Sequence, residues 1–126
     1  MNMFSDALSL ANSGLKAQSR RLRHVAENIS NADTPGYRRK IAEFRTADKS
    51  GHVSAEKMVL DRSELKKIYD PAHPLADAQG NYDGSNVDLM IEVADAREAQ
   101  RSYEANLKMF DQARQMSSSL MELLRR

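Results

Sequence analysis

The sequence predicts a mainly α protein, in which long N- and C-terminal helices form a coiled coil and a small irregular, β-containing middle segment joins them. Two observations support this fold class. Apolar residues recur with heptad spacing towards both ends of the 126-residue chain. Between them, Gly and Pro interrupt short runs that lack helical spacing. The predicted division is 1–35 for the N-terminal helix and corner, 36–85 for the middle segment, and 86–126 for the C-terminal helix.

The N-terminal helix is expected from about residue 4 to about residue 30, because its apolar residues alternate in steps of four and three. This seam comprises Phe4, Leu8, Ala11, Leu15, Gln18, Leu22, Val25 and Ile29. Gly14, beside the seam, either weakens the helix by up to about 1 kcal/mol relative to Ala or lets a neighbouring helix approach closely.

A corner follows this helix. Pro35 opposes continuation of a helix, and Gly36 is able to take a positive φ, so the chain can turn sharply before Tyr37. Asn and Asp residues just before them favour caps and turns. The predicted corner motif comprises Asn28, Asn31, Thr34, Pro35, Gly36 and Tyr37.

The middle segment offers three strand candidates, at residues 37–44, 53–60 and 64–69. Turns are expected at residues 79–81 and 82–84, and the second of these is able to close a small hairpin. The segment is therefore expected to be partly extended and poorly regular.

The C-terminal helix is expected from about residue 88 to about residue 124. Its seam comprises Ala96, Ala99, Tyr103, Asn106, Phe110, Ala113, Ser117, Leu120 and Leu124, widened by Leu107, Met109, Met116, Met121 and Leu123. Small seam residues bury little area each, so this helix gains stability only by close packing with several partners. The predicted assembly interface on the two helices comprises Phe4, Leu8, Leu15, Leu22, Val25, Ile29, Tyr103, Asn106, Leu107, Phe110, Leu120 and Leu124.

Little in the sequence indicates catalysis or ligand binding. The 19 basic and 18 acidic residues nearly cancel, which argues against nucleic acid binding, and the absence of Cys removes disulfides and thiolate sites. Asp70, His73 and Asp77 lie close together and resemble a metal-ligand set, but a loop held by side-chain to backbone hydrogen bonds explains them more simply. No catalytic residue, cofactor or transmembrane segment is expected, and the N-terminus lacks the features of a cleaved secretion signal.

Three stretches resemble one known family. Residues 27–39 read ENISNADTPGYRR, which is similar to the N-terminal signature of the bacterial flagellar axial proteins of the rod and hook. Residues 69–77 read YDPAHPLAD, and the segments NVD at 86–88 and RSYEAN at 101–106 follow. These later stretches resemble the proximal-rod members of that family, and all three appear in the family's order.

The resemblance implies a structural subunit of the basal-body rod, not an enzyme, that polymerises through its terminal helices. It also implies that the two helices run antiparallel in one axial layer. The implied partners are further copies of the chain, other rod proteins and the flagellar type III export apparatus, which would deliver the chain to the periplasmic rod without a cleaved signal peptide. The alternative is a soluble helical-hairpin adaptor or regulatory binding module.

Overall fold

Two long helices dominate the structure, a computed structural model that describes residues 3–125 apart from the side chains of residues 47 and 48. Helix α1 spans Met3–Ser30 and helix α2 spans Leu89–Arg125. Both lie within a residue of their expected bounds, and a small β-containing segment separates them, which confirms the mainly α fold class. Within residues 3–125, none of the helices has the length and apolar character that a bilayer crossing requires.

The two helices pack side by side in opposite order. Near the end of α1, Asn28 Nδ2 donates to Glu92 Oε2 at 3.2 Å, close to the start of α2. Further back along α1, Gly14 lies directly against Asn106, whose Oδ1 is 2.5 Å from the position of a Cβ built on this glycine. Residue numbers therefore fall along α1 as they rise along α2.

The face that α1 buries is displaced in part from the predicted seam, of which Ala11 and Val25 are buried. Its buried residues are Ala11, Gly14, Ala17, Val25 and Asn28. Leu15 is half-buried and Ile29 is exposed, although both belong to the predicted seam, whereas the preceding residues Gly14 and Asn28 are buried. Small side chains let the helix backbones approach closely, and the larger Leu and Ile are left at the edge of the contact.

Helix α2 follows its predicted seam for most of its length. Ala99 and Ala113 are buried, while Tyr103, Asn106 and Phe110 are half-buried. At its C-terminal end the predicted seam is not covered within the chain, where Leu120 and Leu124 are exposed. With Asn106 level with Gly14, the described start of α1 lies level with about residue 117 of α2, so the end of α2 runs past it.

A β-hairpin lies against α1. Strands β1 (Lys40–Ala47) and β2 (His52–Leu60) pair antiparallel, with a shift in register between Glu43 and Arg45. Val53 N donates to Ser13 Oγ of α1 at 3.1 Å, and Ala55 is buried. The first two strand candidates are thus present, each with somewhat different bounds.

A second pair of strands corrects one turn prediction. Strands β3 (Lys67–Tyr69) and β4 (Asn81–Asp83) pair antiparallel, so residues 82 and 83 belong to a strand rather than to the turn predicted at 82–84. Pairing with a distant strand outweighs the local turn preference of these residues. A Cβ on Gly84 would lie 2.7 Å from Ile68 Cδ1, so this glycine serves the close approach of β3 rather than a hairpin turn.

The helix contact gives a first prediction, concerning Gly14. Gly14→Ala should lower the free energy of unfolding by about 1–3 kcal/mol, because the new methyl group meets Asn106. This loss should appear although Ala favours a helix over Gly by about 1 kcal/mol. In an Asn106→Ala background the same substitution should become neutral or stabilising. Urea unfolding followed by far-UV circular dichroism measures the four variants, and an equal effect in both backgrounds would contradict the close contact.

The polar corner and the candidate assembly surfaces

Asn28 joins the end of α1 to two other elements. Its side chain is fully buried. Its Oδ1 accepts hydrogen bonds from Tyr37 Oη and from the backbone N of Lys40, both at 2.8 Å. Its Nδ2 donates to the Lys40 carbonyl at 2.9 Å and to Glu92 Oε2 at 3.2 Å. All four hydrogen-bonding positions of the amide are therefore used, which holds α1, β1 and α2 in one arrangement.

Glu92 is a fully buried carboxylate in the first turn of α2, paired with Arg39. Arg39 Nε donates to Glu92 Oε1 at 2.7 Å, and its other nitrogens lie 3.5 Å from Asp61 Oδ2 and 3.4 Å from Asp95 Oδ2. Burial by itself lowers the pKa of Arg39, but hydrogen bonds to Glu92 and Asp61 outweigh it and raise the pKa overall. Removing either partner would leave the other without its closest ionic contact.

The segment before α2 is tied to the same place. Asn86 Oδ1 accepts from the backbone N of Arg39 at 2.7 Å, and Asn86 Nδ2 donates to the Asp61 carbonyl at 2.9 Å. Hydrogen bonds from Ser63, and then the guanidinium of Arg39, lower the pKa of Asp61. Because the lowered pKa belongs to the folded state, the stability it contributes is present above the ordinary Asp range and is lost as pH falls through the folded-state pKa.

We call Asn28, Arg39, Asp61, Asn86 and Glu92 the polar corner.

The corner motif forms the sharp turn that the sequence predicts. Gly36 has φ of +73°, and its N lies 3.2 Å and 3.1 Å from the carbonyl oxygens of Asp83 and Gly84. Asn31 Nδ2 donates to the Glu27 carbonyl at 2.8 Å, which adds a second hydrogen bond to a terminal carbonyl of α1 that also accepts from Asn31 N at 3.1 Å. Thr34 Oγ1 in turn donates to Asn31 Oδ1 at 3.1 Å.

Four members of the polar corner were missed by the sequence analysis: Arg39, Asp61, Asn86 and Glu92. The sequence does carry one indication of Glu92. It lies four residues before Ala96 and seven before Ala99, so it extends the α2 seam by one position. A charged residue on a seam whose other members are all uncharged indicates a buried charge that requires a partner.

The loop with Asp70, His73 and Asp77 is held by side-chain to backbone hydrogen bonds, as the simpler interpretation predicts. Asp77 Oδ1 accepts from the backbone N of Asn81 at 3.0 Å, and His73 Nδ1 accepts from the backbone N of Leu75 at 3.1 Å. The His73 ring also stacks on Tyr82 with centroids 3.9 Å apart. Within the described part of the chain, His, Asp and Glu residues form no group of three placed to hold a metal ion.

Packing inside the subunit uses only part of the predicted assembly interface. Val25 is buried. The half-buried members are Phe4, Leu8, Leu15, Leu22, Tyr103, Asn106 and Phe110. The exposed members are Ile29, Leu107, Leu120 and Leu124. Helix α2 exposes further large apolar side chains along its length, at Leu89, Met90, Ile91, Val93, Met109, Met116, Met121 and Leu123. Apolar exposure of this extent on one helix is typical of an interaction surface.

A second prediction concerns Gly36. The space around it is open, with no described atom within 4 Å of a built Cβ, so only the backbone conformation limits substitution. Gly36→Val should therefore lower the free energy of unfolding by about 1–3 kcal/mol. Gly36→Asn should cost less, because Asn tolerates positive φ far better than a β-branched residue does. Chemical denaturation of both variants tests this, and equal losses would argue against a strained conformation.

A third prediction concerns the buried ion pair. Glu92→Ala leaves the partly buried guanidinium of Arg39 with only its longer contacts, and should cost about 3–5 kcal/mol. Glu98→Ala is the matched control on the same helix, because Glu98 is mostly exposed and lies 3.3 Å from Arg21. It should cost no more than about 1 kcal/mol. Unfolding midpoints in urea compare the two variants, and similar losses would remove the special role of Glu92.

Comparison with known proteins adds independent findings. The family model described as flagella basal body rod protein matches residues 8–38, and the one described as flagellar basal body rod FlgEFG protein C-terminal matches residues 78–123. The flagellar basal-body rod protein FlgC of Agrobacterium fabrum is 44% identical, with 99% of this chain and 98% of the relative aligned. The same-named protein of Salmonella typhimurium is 32% identical over 90% of this chain and 92% of its own length.

These matches confirm the resemblance that the sequence stretches indicated. They cover both helices and nearly the whole chain. The chain belongs to the FlgC family of flagellar basal-body rod proteins.

Proposed function

We propose that the chain is a structural subunit of the bacterial flagellar basal-body rod, in which it polymerises through its terminal helices to help form the axial drive shaft. The observation that carries this proposal is the apolar exposure of α2 at both ends and in its middle. A subunit that functions alone would be poorly soluble with such apolar exposure, whereas neighbouring subunits in a polymer would cover these side chains.

In this proposal α1 and α2 form an antiparallel coiled coil. The residues of α2 that face α1 support it, since Glu92, Ala99, Asn106 and Ala113 recur every seven residues and are all buried or half-buried. On α1, Gly14 and Asn28 meet Asn106 and Glu92 in opposite order. The middle segment, with its hairpin on α1, braces the coiled coil and neighbouring subunits.

The proposed assembly surface then consists of the apolar side chains that packing within the chain leaves accessible. It includes the exposed Ile29, Leu107, Leu120 and Leu124 and the outer edges of the half-buried leucines of α1. Neighbouring helices of the rod would cover these residues, while the polar corner keeps each subunit in one shape for repeated contacts. The corner motif thus acts in assembly by fixing geometry.

The remaining proposals concern partners and location. The partners are further copies, other rod proteins and the flagellar type III export apparatus, and the location is the periplasmic rod, reached without a cleaved signal peptide. Family membership supports the flagellar partners, because the relatives are basal-body rod proteins by name. We propose no enzymatic activity, cofactor or nucleic acid.

A fourth prediction tests the proposed function through Leu107, which is 41% exposed on α2. Leu107→Glu should abolish swimming when the gene replaces the deleted original in its own bacterium, because a charge would be buried between subunits. Gln115→Glu, an equal charge change at another exposed position of the same helix, should leave swimming intact.

The two variants must also be compared as purified proteins. Helicity by circular dichroism should match the wild type in both, since neither side chain is buried within the subunit. Normal swimming with Leu107→Glu would contradict an assembly role for this face of α2, and full swimming of the deletion strain without any copy would contradict the proposed function itself.

A further inference from the structure

A polar groove runs between residues 9–23 of α1 and residues 52–56 of β2. Tyr103 of α2 also lines it, and its volume is about 740 Å³. The wall that α1 provides, from residue 9 to residue 23, is about 21 Å long. We term this feature the α1–β2 groove.

The α1–β2 groove is elongated because its two walls run alongside each other. Ser9 Oγ is 2.7 Å from His52 Nε2, and Ser13 Oγ accepts from Val53 N at 3.1 Å. Residue numbers therefore rise together along α1 and β2. A wall of about 21 Å matches about six residues of extended chain, at roughly 3.3 Å per residue.

The groove carries positive charge. Lys16, Arg20 and Arg23 line it, are exposed, and lie within about 60° of one another around the helix axis. Among the lining residues only Glu56 is acidic. The ion pairs within the described part of the chain include none of the three cations. Their charges are therefore available to a partner outside the subunit.

Neighbouring cations that hold the subunit together are paired. Arg21 Nη2 lies 3.0 Å from Asp95 Oδ1, and Lys40 Nζ lies 2.6 Å from Glu27 Oε2. The same region thus contains cations with a carboxylate partner in the chain and cations without one. The second group shares one side of α1, which separates it from the charges that stabilise the subunit.

Three cations in a row favour a ligand that presents carboxylates at a matching spacing. Along α1, Lys16 and Arg20 are about 6 Å apart, and Arg20 and Arg23 are about 4.5 Å apart. In an extended chain, side chains of alternate residues point the same way and are about 6.6 Å apart. The long Lys and Arg side chains are able to take up the difference. Hydroxyl groups of Ser19 and Ser54, which also line the groove, are able to hydrogen-bond a peptide backbone.

We propose that the α1–β2 groove binds an extended acidic segment of another protein, whose carboxylates pair with Lys16, Arg20 and Arg23. This surface is separate from the exposed apolar residues of α2, and the inference goes beyond the proposed rod function. Recognition of an acidic motif by a cluster of cations is a recurring mode of peptide binding.

Two other occupants fit the groove less well. A second copy is disfavoured, because between its two helices this chain has no six consecutive residues that contain three acids. A nucleic acid is disfavoured because sites for single strands stack bases on aromatic side chains. Tyr103 is the only Phe, Tyr or Trp among the residues that line the groove.

Peptide binding tests the proposal, and the absence of Trp from the chain makes a tryptophan-tagged peptide a reporter without background. The probe is a synthetic peptide with glutamate and threonine in alternation, and tryptophan fluorescence follows its binding to the full chain at low salt. Arg20→Ala with Arg23→Ala should weaken binding by at least about tenfold, because two charge-assisted contacts are lost. The matched control, Arg97→Ala with Arg101→Ala, removes the same charge from exposed positions of α2 outside the groove. It should change the affinity by less than about twofold.

Two further peptides test the geometry. A peptide of the same composition with its glutamates consecutive should bind about threefold to tenfold more weakly, because successive side chains of an extended chain point to opposite sides. A peptide with lysine in place of glutamate should not bind. Both double variants should keep the helicity of the wild type by circular dichroism, since the substituted side chains are exposed.

The proposal is overturned if the acidic peptide does not bind the wild-type chain, if both double variants lose affinity equally, or if the alternating and consecutive peptides bind alike. Tighter binding of a single-stranded oligonucleotide, abolished by Arg20→Ala with Arg23→Ala, would assign the groove to nucleic acid instead. The swimming test of Leu107→Glu concerns a different surface, so failure of this proposal is distinguishable from failure of the rod function.

Discussion

The arrangement of the subunit depends on the burial of one carboxylate. Glu92 is fully enclosed, and its carboxylate pairs with the guanidinium of Arg39 and accepts a hydrogen bond from the amide of Asn28. These three groups come from the start of α2, the segment before β1 and the end of α1. Since an unpaired buried charge is strongly unfavourable, the elements are stable only when all three are together. The helix pair therefore depends on the polar corner for its stability, and the corner is more than a connection between the two helices.

Close approach of the helices is the second constraint, and it follows from small residues. Ala11, Gly14 and Ala17 on α1 and Ala99 and Ala113 on α2 are all buried. Each contributes little apolar area, so the helix pair gains modest stability from burial within the chain. Many larger apolar residues of α2 are exposed, where they are available to neighbours. Small buried residues thus hold the two helices of one subunit together, whereas larger exposed residues of the same helices are available for contacts between subunits.

The sequence predicted those features that depend on nearby residues. The helix bounds follow from long periodic patterns, and the positive φ of Gly36 follows from its place after Pro35. Features that depend on distant residues were missed or misplaced. The partner of Glu92 lies 53 positions earlier, and the strand at 81–83 exists only through its pairing with β3. The partial displacement of the buried face of α1 has the same origin. Contact with Asn106 of α2 buries Gly14 more fully than Leu15.

The contact between the β1–β2 hairpin and α1 differs in kind from the polar corner. Ser9 Oγ is 2.7 Å from His52 Nε2, and Ser13 Oγ accepts from Val53 N, both at exposed positions. Water is able to replace such hydrogen bonds at little cost, unlike those of the enclosed Asn28 amide. Local opening should therefore begin where β2 starts and stop at the corner. Resistance to amide hydrogen exchange would then increase along the subunit, from the tip of the hairpin to the junction of the two helices.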